Sequence, residues 1–251
     1  MNKKIIYSIL LSFISLVTLA GPTDVLQEGN QAYIDGEYEK AIQKYSAVLD
    51  SGYESAALYY NLGNAYFKSN KITNAILHFE RAKLLEPNDE EIQFNLELAK
   101  TFTVDKIEEI PELFLVTWLK TVIHFFKVDT WAIISTTCFV FMLIALLLYF
   151  FVRKYQLRKL SFWLGVVFLV LSITGYSFAA IQKNEITNNK TAIIFSPTIT
   201  LKSSPDKQST DLFVLHEGTK VEVVDEVGEW REIRLADGSK GWLKISDIEM
   251  I

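Results

Sequence analysis

The groups in this 251-residue chain that could carry acid–base, nucleophilic or metal chemistry are three histidines, one cysteine and many carboxylates. His78, His124 and His216 lie in three different segments, so the sequence offers no paired imidazoles for a metal ion or a proton relay. Cys138 sits inside a long apolar run, has no second cysteine to pair with, and is a poor candidate for redox work. HExxH, CxxC, GxSxG and a phosphate-cradling glycine loop are all missing. Carboxylate pairs are frequent, but on amphipathic helices they read as solvated charge. The residue types therefore point to no reaction, no cofactor and no metal. They leave recognition as the chemistry to look for.

The elements that would position a recognition surface begin with two apolar stretches. Residues 131–152 and 161–181, 22 and 21 residues long, contain no charged side chain. A helix rising about 1.5 Å per residue crosses a hydrocarbon core of about 30 Å in roughly 20 residues. Between them, residues 153–160 carry Arg153, Lys154, Arg158 and Lys159 and no anion. Short basic loops stay on the cytoplasmic side, which predicts a transmembrane hairpin with both flanking regions outside. Residues 1–20 have a charged start at Lys3 and Lys4, an apolar run from Ile5 to Val17 and a small-residue end. They read as a signal peptide, or as an uncleaved N-terminal anchor; either would export the chain from Gly21 onward. Gly21–Glu112 holds 17 acidic against 8 basic residues, and Gln182–Ile251 holds 12 against 9. Acidic outer regions exclude nucleic acid as a partner, because phosphate binding needs basic patches.

Residues 22–102 repeat every 34 positions. EGNQAYIDGEYEKAIQKYSAVLD aligns without a gap to LGNAYFKSNKITNAILHFERAKL, pairing Gly29 with Gly63, Ala41 with Ala75, and Tyr45 with Phe79. Small residues mark close helix approach, and Pro87 marks a stop. The pattern resembles the tetratricopeptide repeat, which implies helix–turn–helix units at about 22–55 and 56–89 and a capping helix at 90–102. Arrays of this family offer a concave groove, which here would be lined by Leu26, Asn30, Tyr33, Tyr60, Asn64, Phe67, Phe94 and Leu98. Asn30 and Asn61 match the asparagines of carboxylate-gripping members, but Leu26 and Glu91 stand where cations would be. An aromatic groove for an apolar helix or strand is the better expectation.

Residues 111–128 place Thr117, Lys120, Thr121, His124 and Lys127 on one side of an otherwise apolar helix. Such a helix lies in the membrane interface or docks on the repeats. From Thr191 the pattern turns to alternation, predicting six short strands: Thr191–Phe195, Thr200–Lys202, Phe213–Leu215, Lys220–Asp225, Trp230–Leu235 and Gly241–Lys244. Leu201-Lys202-Ser203-Ser204-Pro205, Glu217-Gly218-Thr219, Glu229-Trp230, Asp237-Gly238 and Gly241-Trp242 together resemble a bacterial SH3-like domain over 191–251. Trp230 and Trp242 would be its binding surface, or would brace the barrel. The resemblance implies cell-wall peptides or proteins as ligands.

The expected fold is thus multidomain: all-α tetratricopeptide helical repeats, a transmembrane α-helical hairpin and a small all-β SH3-like barrel. In that order the modules resemble the BatE-type aerotolerance proteins. That resemblance implies a periplasm-facing accessory, in the cytoplasmic (inner) membrane, of a system with von Willebrand A-domain proteins and a MoxR-type ATPase. Two functions stay open: a non-enzymatic protein-interaction scaffold, or an envelope sensor or anchor whose barrel binds peptidoglycan.

Overall fold

A computed structural model describes residues 22–107, 110, 111 and 113–251, so the expected signal peptide lies outside the described residues. Four helices form the two repeats: α1 (Pro22–Ile34), α2 (Tyr38–Asp50), α3 (Ala56–Lys68) and α4 (Ile72–Leu85). Each turn inside a repeat needs a left-handed residue, supplied by Gly36 (φ 79°) and Asn70 (φ 59°). A side chain at Gly29 or Gly63 would bring its Cβ within 2.7 Å of Tyr45 or 2.6 Å of Phe79. The glycine–aromatic pairing across 34 residues is therefore a steric contract between the two helices of a unit. Helix α5 (Glu90–Lys100) follows, its first turn capped by Asp89, whose carboxylate accepts from the Glu91 and Ile92 amides at 3.0 Å.

Seven antiparallel strands complete the C-terminal module: β1 (Thr191–Ile194), β2 (Thr198–Lys202), β3 (Asp211–His216), β4 (Lys220–Val227), β5 (Trp230–Arg234), β6 (Lys240–Lys244) and β7 (Ile248–Met250). They form one curled sheet in the order β3-β2-β6-β5-β4-β1-β7. Six strands are expected from alternation; β7 is a three-residue strand added beside β1, too short to show a period.

The repeats and the barrel are packed together, an arrangement that residue periodicity does not suggest. β1 is buried on both sides. Ala192 and Ile194 face the barrel core with Leu201, Ile233 and Leu243, while Ile193 joins Ile76, Phe79 and Leu96 of the repeats. Ile193 is fully buried, a contribution of about 1.5–3 kcal/mol. Gly218 sits at the same seam with φ +85°, where a Cβ would come 2.7 Å from Thr103 Cγ2. Around it run polar contacts: Thr73 donates to Glu217 at 2.7 Å, and Arg81 donates to Glu249 at 3.1 Å and to the Met250 carbonyl at 2.7 Å. At the centre is Glu80, 3 % exposed, with Lys220 of the barrel 2.6 Å from Oε2 and Lys100 of α5 3.3 Å from Oε1. The Lys100 contact is an ion pair without hydrogen-bond alignment, leaving Oε1 short of a full partner. Burial acts to raise the Glu80 carboxyl, but attraction to Lys220 and Lys100 outweighs it and holds the group below the usual carboxylate range.

Among the described residues, two helices are long and apolar enough to cross a membrane, α7 (Val128–Phe151) and α8 (Tyr155–Thr187). The turn between them is only residues 152–154, so Arg158 and Lys159, expected in a loop spanning 153–160, ride on the first two turns of α8. The apolar segments are expected to contain no paired polar groups. Instead Ser135 Oγ donates to the Ser172 carbonyl at 2.8 Å and Ser172 Oγ returns the bond to the Ser135 carbonyl at 3.0 Å. Gly175 makes room for this clasp: a Cβ there would lie 3.3 Å from the Trp131 carbonyl and from Ser135 Cβ.

Helix α6 (Phe114–Ile123) is shorter than the 111–128 expected, because the chain turns at residues 124–127 to enter α7. That elbow is tied down. Gln182 of α8 donates to the Ile123 carbonyl and, at 2.9 Å, to that of Phe126; Trp131 Nε1 donates to Ile123 at 2.8 Å. Lys127 pairs with Glu86 at 2.6 Å, and Asn88 donates to the His124 carbonyl at 3.0 Å, joining the elbow to the end of the repeats.

Replacing Lys220 with Met leaves Glu80 with one misaligned cation in a buried seam. The expected cost is about 1–3 kcal/mol, because the remaining charge stays desolvated. Limited proteolysis of the detergent-solubilised chain should then cut the repeats as well as the barrel faster than in wild type. Lys244→Met, on the barrel's outer face, should change neither; cleavage confined to the barrel would contradict the shared seam.

Candidate functional site

Along the first helix of each unit, the 34-residue period brings asparagines into register. Asn30 on α1 accepts from Tyr45 Oη at 2.8 Å and, more loosely, from Asn61 at 3.4 Å. One period later Asn95 of α5 donates to Asn64 Oδ1 at 3.0 Å and to Tyr60 Oη at 2.9 Å. Asn95 is absent from the expected groove residues, although its position 34 beyond Asn61 identifies it. These amides brace one another in two pairs, from α1 to α3 and from α3 to α5, so each keeps only part of its hydrogen-bonding capacity for a ligand.

Around this ladder stand the other expected residues. Leu26, Tyr33, Tyr60 and Phe67 are half-buried. Leu26 and Tyr33 pack on the core of the first unit, where Tyr33 meets the Tyr38 ring edge-on at 5.4 Å. Tyr60 and Phe67 pack on the core of the second unit, and Phe67 also meets the Phe102 ring. Phe94 and Leu98 are more open, at 69 % and 39 % exposed. They project from α5 one turn apart, and Phe102, 60 % exposed, extends the row. A cavity of about 350 Å³ opens between Tyr60, Glu91, Phe94 and Asn95. The arrangement offers aromatic faces, apolar tips and amide dipoles, which suit an extended or helical peptide rather than a reaction centre. Glu91 lies at the Tyr60 hydroxyl, 3.4 Å away, in the region where a carboxylate-gripping groove would carry a cation.

Trp230 and Trp242 are both half-exposed. Their strands pair so that Trp230 opposes Lys244 and Trp242 opposes Glu232, placing both indoles on the barrel's outward face, opposite buried Ile233 and Leu243. Nothing in the structure brings them near the repeat groove residues.

Each histidine is engaged within the fold. His124 pairs with Glu185 at 3.0 Å and His216 with Asp105 at 2.9 Å. His78 is buried between the rings of Tyr66 (5.2 Å) and Tyr59 (6.0 Å), with Nδ1 unpartnered. Burial, with a smaller push from Arg81, drives its pKa down to about 3.

Residues 56–89 match the tetratricopeptide repeat family. Residues 197–248 match the bacterial SH3 domain family. No curated protein is significantly similar to the chain. Both matched families are interaction domains.

His78 predicts an acid-sensitive repeat domain. A histidine held neutral in the fold but titrating near 6.5 when unfolded contributes stability that is present above pH 6.5 and lost as pH falls toward 3. The loss should reach about 2 kcal/mol by pH 5. His78→Phe keeps the ring stack and removes the titration, so its melting temperature should fall less than that of wild type between pH 7 and 5. Parallel profiles for the two proteins would show that His78 is not the cause.

Proposed function

We propose that this protein is a membrane-anchored, non-enzymatic interaction scaffold whose repeat groove binds an apolar segment of another protein on the periplasmic side of the cytoplasmic membrane. The observation that carries the reading is the groove itself. An ordered asparagine ladder flanked by Tyr33, Phe94 and Leu98 presents recognition groups in a unit that is otherwise tightly packed. Arg153, Lys154, Arg158 and Lys159, at the turn between α7 and α8 and the start of α8, support this orientation, since they lie at the end of the hairpin remote from both modules. Helix α6 supports an interfacial placement, since Phe114, Leu115 and Trp118 expose apolar surface beside the bilayer that α7 and α8 would span. The resemblance to BatE-type proteins makes von Willebrand A-domain membrane proteins of such a system the first partners to test. A MoxR-type ATPase would have access only to the short basic turn, or would act through another membrane protein.

A second reading, peptidoglycan binding by the barrel, is favoured by one observation: Trp230 and Trp242 share an exposed face with polar neighbours. Sugar rings stack on such indoles, and this use of the barrel is compatible with the groove holding a protein.

A photo-crosslinking residue at position 94 of the membrane-resident chain should capture a discrete partner in cells. Tyr33→Ala combined with Leu98→Ser should lower that yield at least about tenfold, the effect of losing about 1.4 kcal/mol of binding. An undiminished yield would remove the groove from the account. Alkaline phosphatase fused after Ile251 should be active; an inactive fusion would overturn the orientation.

A further inference from the structure

The segment Thr103–Ile107 leaves the repeats, bends at Val104 and runs along the barrel before the chain reaches α6. Its residues alternate: Val104 and Lys106 are exposed, while Thr103, Asp105 and Ile107 face protein. Asp105 is the anchor. Its Oδ2 accepts from the His216 backbone amide at 2.7 Å and from Thr219 Oγ1 at 2.8 Å, and its Oδ1 lies 2.9 Å from His216 Nδ1. His216 ends β3, which lies at one edge of the sheet, so a side-chain carboxylate satisfies an edge amide that β2 does not. Two residues on, Ile107 packs on the barrel core. A cavity of about 260 Å³, lined by Ile107, Phe213, Leu215, Leu235, Asp237 and Ser239, opens beside it. The cleft is therefore larger than its occupant.

Three groups of the barrel converging on one carboxylate, next to an apolar floor, describe a recognition site rather than a linker's path. We infer that this cleft recognises an extended peptide carrying an aspartate two residues before a branched apolar residue. The connector fills it in cis, and a partner bearing the same pattern binds by displacing the connector. The hold on the connector is that of a modest peptide ligand reinforced by its tether. Only alternate residues touch the barrel, and among the described residues the backbone contact is a single 3.3 Å bond from the Ile110 amide to the Ala236 carbonyl. A short tether gives an effective concentration on the order of 1 mM; against an intrinsic Kd of about 0.1 mM it blocks an incoming peptide about tenfold. Displacement would free the chain that joins α5, a wall of the groove, to α6 at the membrane. The inference concerns a different surface from the repeat groove and does not depend on what that groove binds.

The test uses the full chain in nanodiscs and a fluorescent peptide with the sequence of residues 103–110. The double variant Asp105→Asn, Ile107→Ser empties the cleft in cis and should bind the peptide about tenfold more tightly than wild type by anisotropy. A peptide with Asn in place of its aspartate should lose that affinity. Should the double variant fail to reproduce the wild-type circular dichroism spectrum, Asp105→Asn alone serves, with the same direction expected. Equal binding by wild type and variant, no binding by the variant, or indifference to the peptide's aspartate would each overturn the proposal.

Discussion

A strand buried on both faces must find apolar partners on both, and β1 is such a strand. In a longer array the face of α4 carrying Ile76 and Glu80 would be covered by the second helix of a following unit. Here the third unit stops after α5. Glu97 occupies the position of the helix-packing glycine, and the described residues 101–107 that follow α5 are not helical. Ile193 covers the apolar part of the open face, and Lys220 neutralises the charged part. The barrel thus acts as the terminal cap of the repeats. The repeats in turn cover a flank of a small barrel that would be only marginally stable with its own core.

This constraint changes what the repeats and the barrel can do. Barrel surface at β1 and at Glu217 and Gly218 is committed to contacts with the repeats, whereas the tryptophan face remains open. The groove is open as well, and its ladder ends on α5, the helix that supplies Lys100 to the seam. The end of α4 and the loop after it hold the elbow that enters α7. The candidate groove, the barrel and the entry to α7 therefore share the packing of α4 and α5, which couples them mechanically. Acid should act on the seam in the same direction as on His78. Glu80 and Asp105 both titrate below their ordinary values, so their contribution is present above about pH 4.5 and lost as pH falls through their folded values. For Asp105, burial opposes the shift, and the bonds from His216 and Thr219 outweigh it.

Much of this was legible in residue spacing. The 34-residue period gave the helix pairs, and the glycine–aromatic contacts gave their closeness. The uncharged runs gave α7 and α8. The turn glycines, Gly218 and Gly238 among them, marked the barrel's hairpins. What spacing did not convey are contacts between modules, because periodicity reports which face of an element is buried, not against what. The one available signal was ambiguous: Ala192-Ile193-Ile194-Phe195 is a continuous apolar run of the kind that belongs to strands covered on two sides, but so is Leu212-Phe213-Val214-Leu215 of β3, where Leu212 and Val214 are exposed. The serine clasp between α7 and α8 was hidden for another reason. Serines are common on apolar helices, and only the backbone approach allowed by Gly175 shows that Ser135 and Ser172 meet.

Native-state hydrogen exchange on the full chain in nanodiscs tests the shared seam most directly. If the barrel caps the repeats, the amides of α4 and of β1 and β4 open in one cooperative unit, with the same opening free energy and the same response to denaturant. A barrel whose amides exchange as a separate, weaker unit while α4 stays protected would contradict it.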